Sequence, residues 1–175
     1  MDILKEIEQA YLVNEKKLNG EEMNLQILQA YMKTPKVDLL ELQEVEELFN
    51  IKFPTQLKEF YMVHNGSGEL QVLSTNTNDY RILSLAAIVE VKVYFQNANE
   101  QINQSKDNRI QNFIQNKAWI PFAVSENGSF LMLDYIPTSL GEKGQIIEYD
   151  ELSTTINYVG NLDVCMAKTR DKLMK

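Results

Sequence analysis

The sequence predicts a segregated α+β fold, a mixed, mostly antiparallel sheet flanked by N-terminal and C-terminal helices. Three observations predict it. Before Gly66, apolar residues recur every three or four positions, the period of a helix with one buried face. Beyond Gly68 the pattern shifts to short runs rich in β-branched and aromatic residues, punctuated by turn signals of which Asn127-Gly128 is the clearest. The order never repeats strand, helix, strand, so a doubly wound nucleotide-binding sheet fits poorly.

Taken in order, Ile3, Ile7, Ala10, Tyr11 and Leu18 mark a first helix up to about Asn19-Gly20. Leu25, Leu28 and Met32 mark a second, which Thr34-Pro35 breaks because the residue before proline is pushed out of helical geometry. Asp38 is an N-cap with Glu41 placed for a capping box. Leu42, Val45, Leu48 and Phe49 then line the inner face of a third helix that Asn50 ends. Pro54 suits the first turn of a fourth, where its missing N–H is harmless. Its stripe runs Leu57, Phe60, Tyr61, His64, and Asn65-Gly66 supplies the stop.

Strands are expected around Leu70–Leu73 and Tyr80–Leu83, with the polar loop 74–79 between them. Ser84 can cap a helix toward Phe95, although Val89, Val91 and Val93 also fit a strand. The segment Asn97–Asn116 is rich in Asn and Gln, with a helix expected in its second half around Ile110, Phe113 and Ile114. Trp119–Val124 and Ser129–Tyr135 form a hairpin across Ser-Glu-Asn-Gly. Gln145–Tyr149 and Thr155–Val159 add further strands. Asn161 caps a final helix whose apolar face is Leu162, Cys165, Met166 and Leu173.

A chain of 175 residues fits one domain. Its 44% hydrophobic and 24% charged residues are those of a folded globule. The opening MDILKEIEQAYLVNEKK has no basic start, apolar run or small-residue cleavage site, and no stretch approaches the roughly 18 apolar residues that span a bilayer. With Cys165 as the sole cysteine, the expected location is the cytoplasm. The formal net charge is −8, which argues against nucleic acid and toward a basic partner. Between Ala118 and Ala167, Lys143 alone faces seven acids, a local balance of −6. The same charge also serves plain solubility.

The search for chemistry is short. One Cys and one His limit any thiol or triad chemistry to Cys165 and His64. Cys165 lies on an apolar helix face, where it acts as a small hydrophobe. His64 closes an apolar stripe at a helix end, where it satisfies terminal carbonyls. The set is too small for a usual zinc site, and no calcium loop, Walker loop or nucleophile elbow is present. Asn65-Gly66-Ser67-Gly68 follows a helix and lacks a lysine, so it reads as a flexible turn. Carboxylates are plentiful, but nothing singles out a glycosidase-like pair. The acidic run Asp38–Glu47 reads first as a solvated helix face and second as a docking face for a basic partner. Trp119 reads as core. No catalytic residue, cofactor or metal is expected.

The stretch LQEVEELFNIKFPTQLKEFYMVHNG, Leu42 to Gly66, resembles the signature of the SUKH superfamily, which contains a fungal cell-wall-assembly regulator and many bacterial toxin-immunity proteins. The similar elements are the acidic helix Glu46–Phe49, the step Phe53-Pro54, the pair Phe60-Tyr61 and His64-Asn65-Gly66. Tyr80–Leu85 is similar to the family's strand leading into a helix. Trp119–Ala123, Asn127-Gly128 and Leu131–Asp134 resemble its central hairpin, and Gly144–Ile147 the strand that follows. The resemblance implies a family core over 37–150, preceded by a helical extension over 1–36 and followed by a strand and helix over 151–175. It implies partner binding without catalysis. The expected role is an immunity protein that neutralises a basic nuclease toxin domain by occluding its cleft, with no nucleic-acid, membrane or small-molecule partner. A regulatory scaffold for wall assembly or signalling is the alternative. The expected contacts are Glu69, Asp79, Glu126, Asp134 and Asp150, acids in or beside predicted loops and strand ends.

Overall fold

The computed structural model describes residues 2–17, 22–95, 106–113, 116–150 and 152–174. Its elements run α1 Asp2–Lys17, α2 Glu22–Met32, α3 Leu39–Phe49, α4 Thr55–Tyr61, β1 Leu73–Ser74, β2 Asp79–Ile82, α5 Leu85–Tyr94, β3 Trp119–Ser125, β4 Phe130–Asp134, β5 Gln145–Asp150, β6 Thr155–Gly160 and α6 Leu162–Leu173. The six strands pair in sequence order, and every pairing is antiparallel. The α+β class holds, and no parallel pair occurs among the described residues.

Alternation along the strands sends side chains to two apolar faces. Tyr80, Ile82, Ile120, Phe122, Leu131, Leu133 and Ile146 join one core with Leu4, Ile7, Leu28, Leu42, Phe60, Leu162 and Cys165 from the helices. Trp119, Met132, Ile147, Tyr149 and Ile156 join a second core with Phe95 and Ile110. Burial of this apolar area on both faces is the main stabilising contribution.

Local capping chemistry sets the helix starts. Asp38 accepts from Leu40 N while Glu41 accepts from Asp38 N, the predicted capping box. Ser84 Oγ accepts from Ala87 N, and α5 is a helix despite its valines. Asn161 Oδ1 accepts from Val164 N. Asn50 ends α3 in left-handed geometry, φ 54°.

Some expected faces turn out differently. Leu25 and Met32 of α2 are exposed, and Leu28 and Tyr31 carry its inner face. Leu48 of α3 points to solvent while Glu46 takes an inner position. The cause is polar. Glu46 Oε1 accepts from Phe53 N at 2.7 Å, and its carboxylate pairs with Lys52 at 3.0 Å and Lys58 at 2.6 Å. A buried acid with three donors holds the helix in that rotation. Pro54 precedes α4 as its cap, and α4 stops at Tyr61, before His64.

The predicted helix around Ile110 and Phe113 is absent. Residues 106–113 form turns, and Ile114 lies outside the described residues. Asp107 Oδ1 accepts from Arg109 N at 2.9 Å, and Asn116 Oδ1 accepts from Ala118 N at 2.8 Å. These side chains offer the backbone turn bonds that compete with a helix. Ile110 is nevertheless buried, and the Phe113 ring meets Trp119 edge-on.

The turn at Asn65-Gly66-Ser67 is pinned, contrary to the flexible turn expected. Asn65 Oδ1 accepts from Leu85 N at 2.9 Å, and Ser67 Oγ accepts from Ile82 N at 2.7 Å. Gly66 has φ +85°, and a Cβ there would lie 2.7 Å from Ser84 N and 3.0 Å from Ile82 O. Both the conformation and the close approach require glycine. Gly66→Ala is expected to cost about 3 kcal/mol or more in urea unfolding.

Lys92, only 3% exposed, donates from Nζ to the carbonyls of Lys117 and Trp119. Burial pulls its pKa from 10.5 down to about 8. Between those values the unfolded chain binds the proton and the folded chain does not, so this group's contribution to stability rises with pH. Burial also raises Tyr31, Tyr61 and Tyr80, whose contributions fall at higher pH, so comparison with Lys92→Met isolates the lysine. The stability of the wild type relative to Lys92→Met is expected to rise by about 2 kcal/mol from pH 8 to about 9.5 in urea titrations.

Candidate partner-binding surface

An antiparallel meander places alternate connections at the same end of its sheet. The β1–β2, β3–β4 and β5–β6 connections therefore share one end, and with them Asp79, Glu126 and Asp150. Glu69 precedes β1, is exposed, and lies 3.9 Å from Arg81. Gln71, two residues further on, donates to Glu126 at 2.9 Å, which joins that segment to the hairpin tip. Asn127 Nδ2 donates to Asn78 Oδ1 at 3.0 Å and ties the tip to the β1–β2 loop.

The hairpin forms where Asn127-Gly128 predicts it, though only Gly128 has positive φ there. Asn127 Oδ1 accepts from Ser129 N and from Ser125 Oγ, so its side chain braces the loop from within.

Each expected acid is partly committed to its own chain. Asp79 accepts from Ser74 Oγ and pairs with Lys172 of α6. Asp150 accepts from Ser153 Oγ at 2.6 Å and from Leu152 N at 3.0 Å, and these bonds, the Ser153 hydroxyl first, hold its carboxyl below the usual range. The turn it closes carries Leu152, 86% exposed, and Thr154 at φ +51°.

Asp134 does not belong with this group. It is fully buried at the opposite end of β4. Its Oδ1 accepts from Trp119 Nε1 at 3.0 Å and Ile136 N at 2.9 Å, and its Oδ2 from Gln145 Nε2 at 2.9 Å. Burial raises its pKa against the opposing pull of these donors. It anchors the indole of Trp119, which is core as expected.

The residue that organises the acidic end escaped sequence reasoning. Glu148 of β5 is buried, and its Oε1 accepts from Tyr80 OH at 2.6 Å and from the hydroxyls of Thr75 and Thr77 at 2.7 Å each. One carboxylate thus gathers the β1–β2 loop against β5. A signal existed, because Glu148 stands two residues from buried Ile146, on the same strand face.

The nucleophile candidates are separately embedded. Burial pushes the Cys165 thiol up to about 12, which suppresses the thiolate. His64 Nε2 faces Glu8 Oε1 at 3.4 Å, its ring lies 4.2 Å from that of Tyr31, and Tyr31 OH donates to the same Glu8 oxygen. His64 therefore ties α1 and α2 to the end of α4, in place of the carbonyl-capping role expected. Among the described residues no group of three or more His, Cys, Asp or Glu could hold a metal, and no helix is long and apolar enough to cross a membrane.

A model of the SMI1 / KNR4 family (SUKH-1) matches residues 36–162, from the segment before α3 through β6 to the first residue of α6. The chain belongs to the SMI1 / KNR4 family. No curated protein sequence matches it. SUKH-1 membership supports a protein-interaction or immunity role of the general SUKH type. The SUKH-1 match contains the pinned Asn65-Gly66 turn, the Trp119–Asp134 pair and Glu148, while α1 and α2 lie outside it.

Glu148→Ala leaves three hydroxyl groups without their acceptor. It is expected to cost about 3 kcal/mol and to speed amide exchange at Thr77 and Asn78 ahead of the rest of the sheet, read by native-state hydrogen exchange.

Proposed function

We propose that this chain is a non-catalytic, cytoplasmic protein-binding module that acts as an immunity protein. It neutralises a basic nuclease-type toxin domain by covering the cleft that would otherwise receive nucleic acid. The SUKH-1 match over 36–162 carries the reading. The charge supports it. A net −8, with seven acids against one lysine between 118 and 167, favours a partner whose own site is built to attract phosphate.

Glu69, Asp79, Glu126 and Asp150 form the acidic rim in this reading. Held loops present their charge without further ordering on encounter, which lowers the entropic cost of association. Asp134 has no part in the rim.

The test is affinity capture from the native cell at low and high salt, followed by nuclease assay of the captured domain with and without this chain. One basic domain, released by salt and inhibited at equimolar chain, supports the proposal. A set of wall-synthesis or signalling proteins without nuclease activity replaces it with the scaffold reading. With the cognate domain in hand, Glu69→Lys with Glu126→Lys is expected to slow association about tenfold at low salt and far less at high salt, measured by stopped flow.

A further inference from the structure

The outer face of α3 combines two features that a solvated helix does not need. Leu40 is 67% exposed and Leu48 is 64% exposed. With Glu44 they form a single i, i+4, i+8 ridge on the side away from the core. Leu39 is also exposed. The bond from Val37 N to Tyr61 O, 2.8 Å long, sets the start of α3 beside the end of α4, where Met62 is exposed as well.

The second feature is charge. From Asp38 to Asn50 there are five acids and no base. Glu46 is satisfied internally by Lys52 and Lys58, and Glu41 belongs to the capping box. The side chains of Glu44 and Glu47 are left without an ion pair or hydrogen bond among the described residues. Glu47 also stands in the last turn, where the helix dipole already places negative charge. A cation supplied from outside relieves both.

We propose that this ridge, Leu40, Glu44 and Leu48 with Glu47 beside it, is a docking face for an amphipathic basic helix of a partner protein. The ridge is convex in the way helix–helix packing uses, one i, i+4 row seating between two rows of the partner. Apolar residues of the incoming helix cover the leucines, and flanking lysines or arginines meet Glu44 and Glu47. The inference rests on the reading of the chain as a protein-binding module. It does not depend on the partner being a nuclease, and it names a face apart from the strand-end acids.

The probe is a synthetic peptide of about 18 residues, leucine at i, i+4 spacing and lysine elsewhere, long enough to form a helix once docked. The control carries the same lysines with the leucines replaced by glutamine. Each is titrated into the isotopically labelled full chain, and backbone amide shifts are read. The expected result is saturable shifts centred on 39–50, with the control at least about tenfold weaker. Leu40→Ser with Leu48→Ser, and separately Glu44→Lys with Glu47→Lys, are each expected to weaken binding about tenfold at unchanged melting temperature, because these side chains face solvent. Glu69→Lys with Glu126→Lys is expected to leave it within about twofold.

Shifts centred on the strand-end loops, shifts spread over every acidic surface, or equal binding by the control overturn the proposal. If the peptide docks on α3 while no captured domain is a nuclease, the docking face stands and the toxin reading falls. If a nuclease is neutralised while the peptide does not localise to α3, the toxin reading stands and the docking face falls.

Discussion

The structure depends on one constraint: the meander is apolar on both faces. Antiparallel sheets commonly leave one face to water. Here β3, β4 and β5 are buried almost throughout, with residues of opposite parity entering different cores. A sheet of this kind needs two covers. Helices from both ends of the chain supply one, and α1 and α6 pack against each other there despite their separation in sequence. The second is the C-terminal end of α5, through Val91 and Phe95, with the turns around Ile110 and Phe113, which need no regular structure to fill their place, while Leu85 and Ile88 of the same helix enter the first core.

Covering both faces buries polar groups in the strands and in the helices packed on them, and each buried group becomes a fastening. Asp134 accepts from the indole and from Gln145, Glu148 collects the hydroxyls of β1–β2, Glu46 caps the backbone at Phe53, and Lys92 donates to two carbonyls near the start of β3. A buried charge without partners costs several kcal/mol, so these groups persist only because the surrounding geometry satisfies them. They also select one arrangement among many similarly apolar ones, since a strand shifted in register would break the matches of Asp134 and Glu148. Lys92 is the exception in kind. Among the described residues it has two carbonyls and no carboxylate as partners, and burial depresses its pKa.

What the sequence made legible was local. Caps at Asp38, Ser84 and Asn161, the hairpin at Asn127-Gly128 and the period change after Gly68 all depend on neighbours within a few residues, and the structure has each of them. Faces were less legible, because the rotation of a helix is decided by its tertiary partners. Leu48 faces outward since Glu46, a residue that patterning assigns to solvent, has donors waiting inside. The segment 106–113 misled for a related reason, because the short polar side chains that depress helix propensity also supply turn bonds. Among the site residues, Glu69, Asp79, Glu126 and Asp150 lie in or beside loops and strand ends, as expected, but that three of them share one end of the sheet follows from the strand order, which local patterning does not display. Asp134 was misplaced because closeness to a strand end in sequence says nothing about the face, whereas its two-residue spacing from buried Met132 does.

The acids of the sheet end and those of α3 differ in what they can contribute. Asp79 already holds Lys172, Asp150 closes its own turn, and Glu126 takes a bond from Gln71. A carboxylate so engaged still adds to the long-range field, which acts through net charge whatever its close contacts. To bind a partner's cation directly, though, it must share or surrender a bond that already exists, and the net gain shrinks accordingly. Among the described residues the side chains of Glu44 and Glu47 have no such bond to give up, and Leu40 and Leu48 supply exposed apolar area along the same helix ridge, whereas the exposed Leu152 of the sheet end sits on the turn that Asp150 already closes. In the proposed reading, steering and contact therefore fall on different surfaces of one small protein: charge over the sheet end serves the encounter rate, and affinity is set where acids lack internal partners and apolar area is exposed.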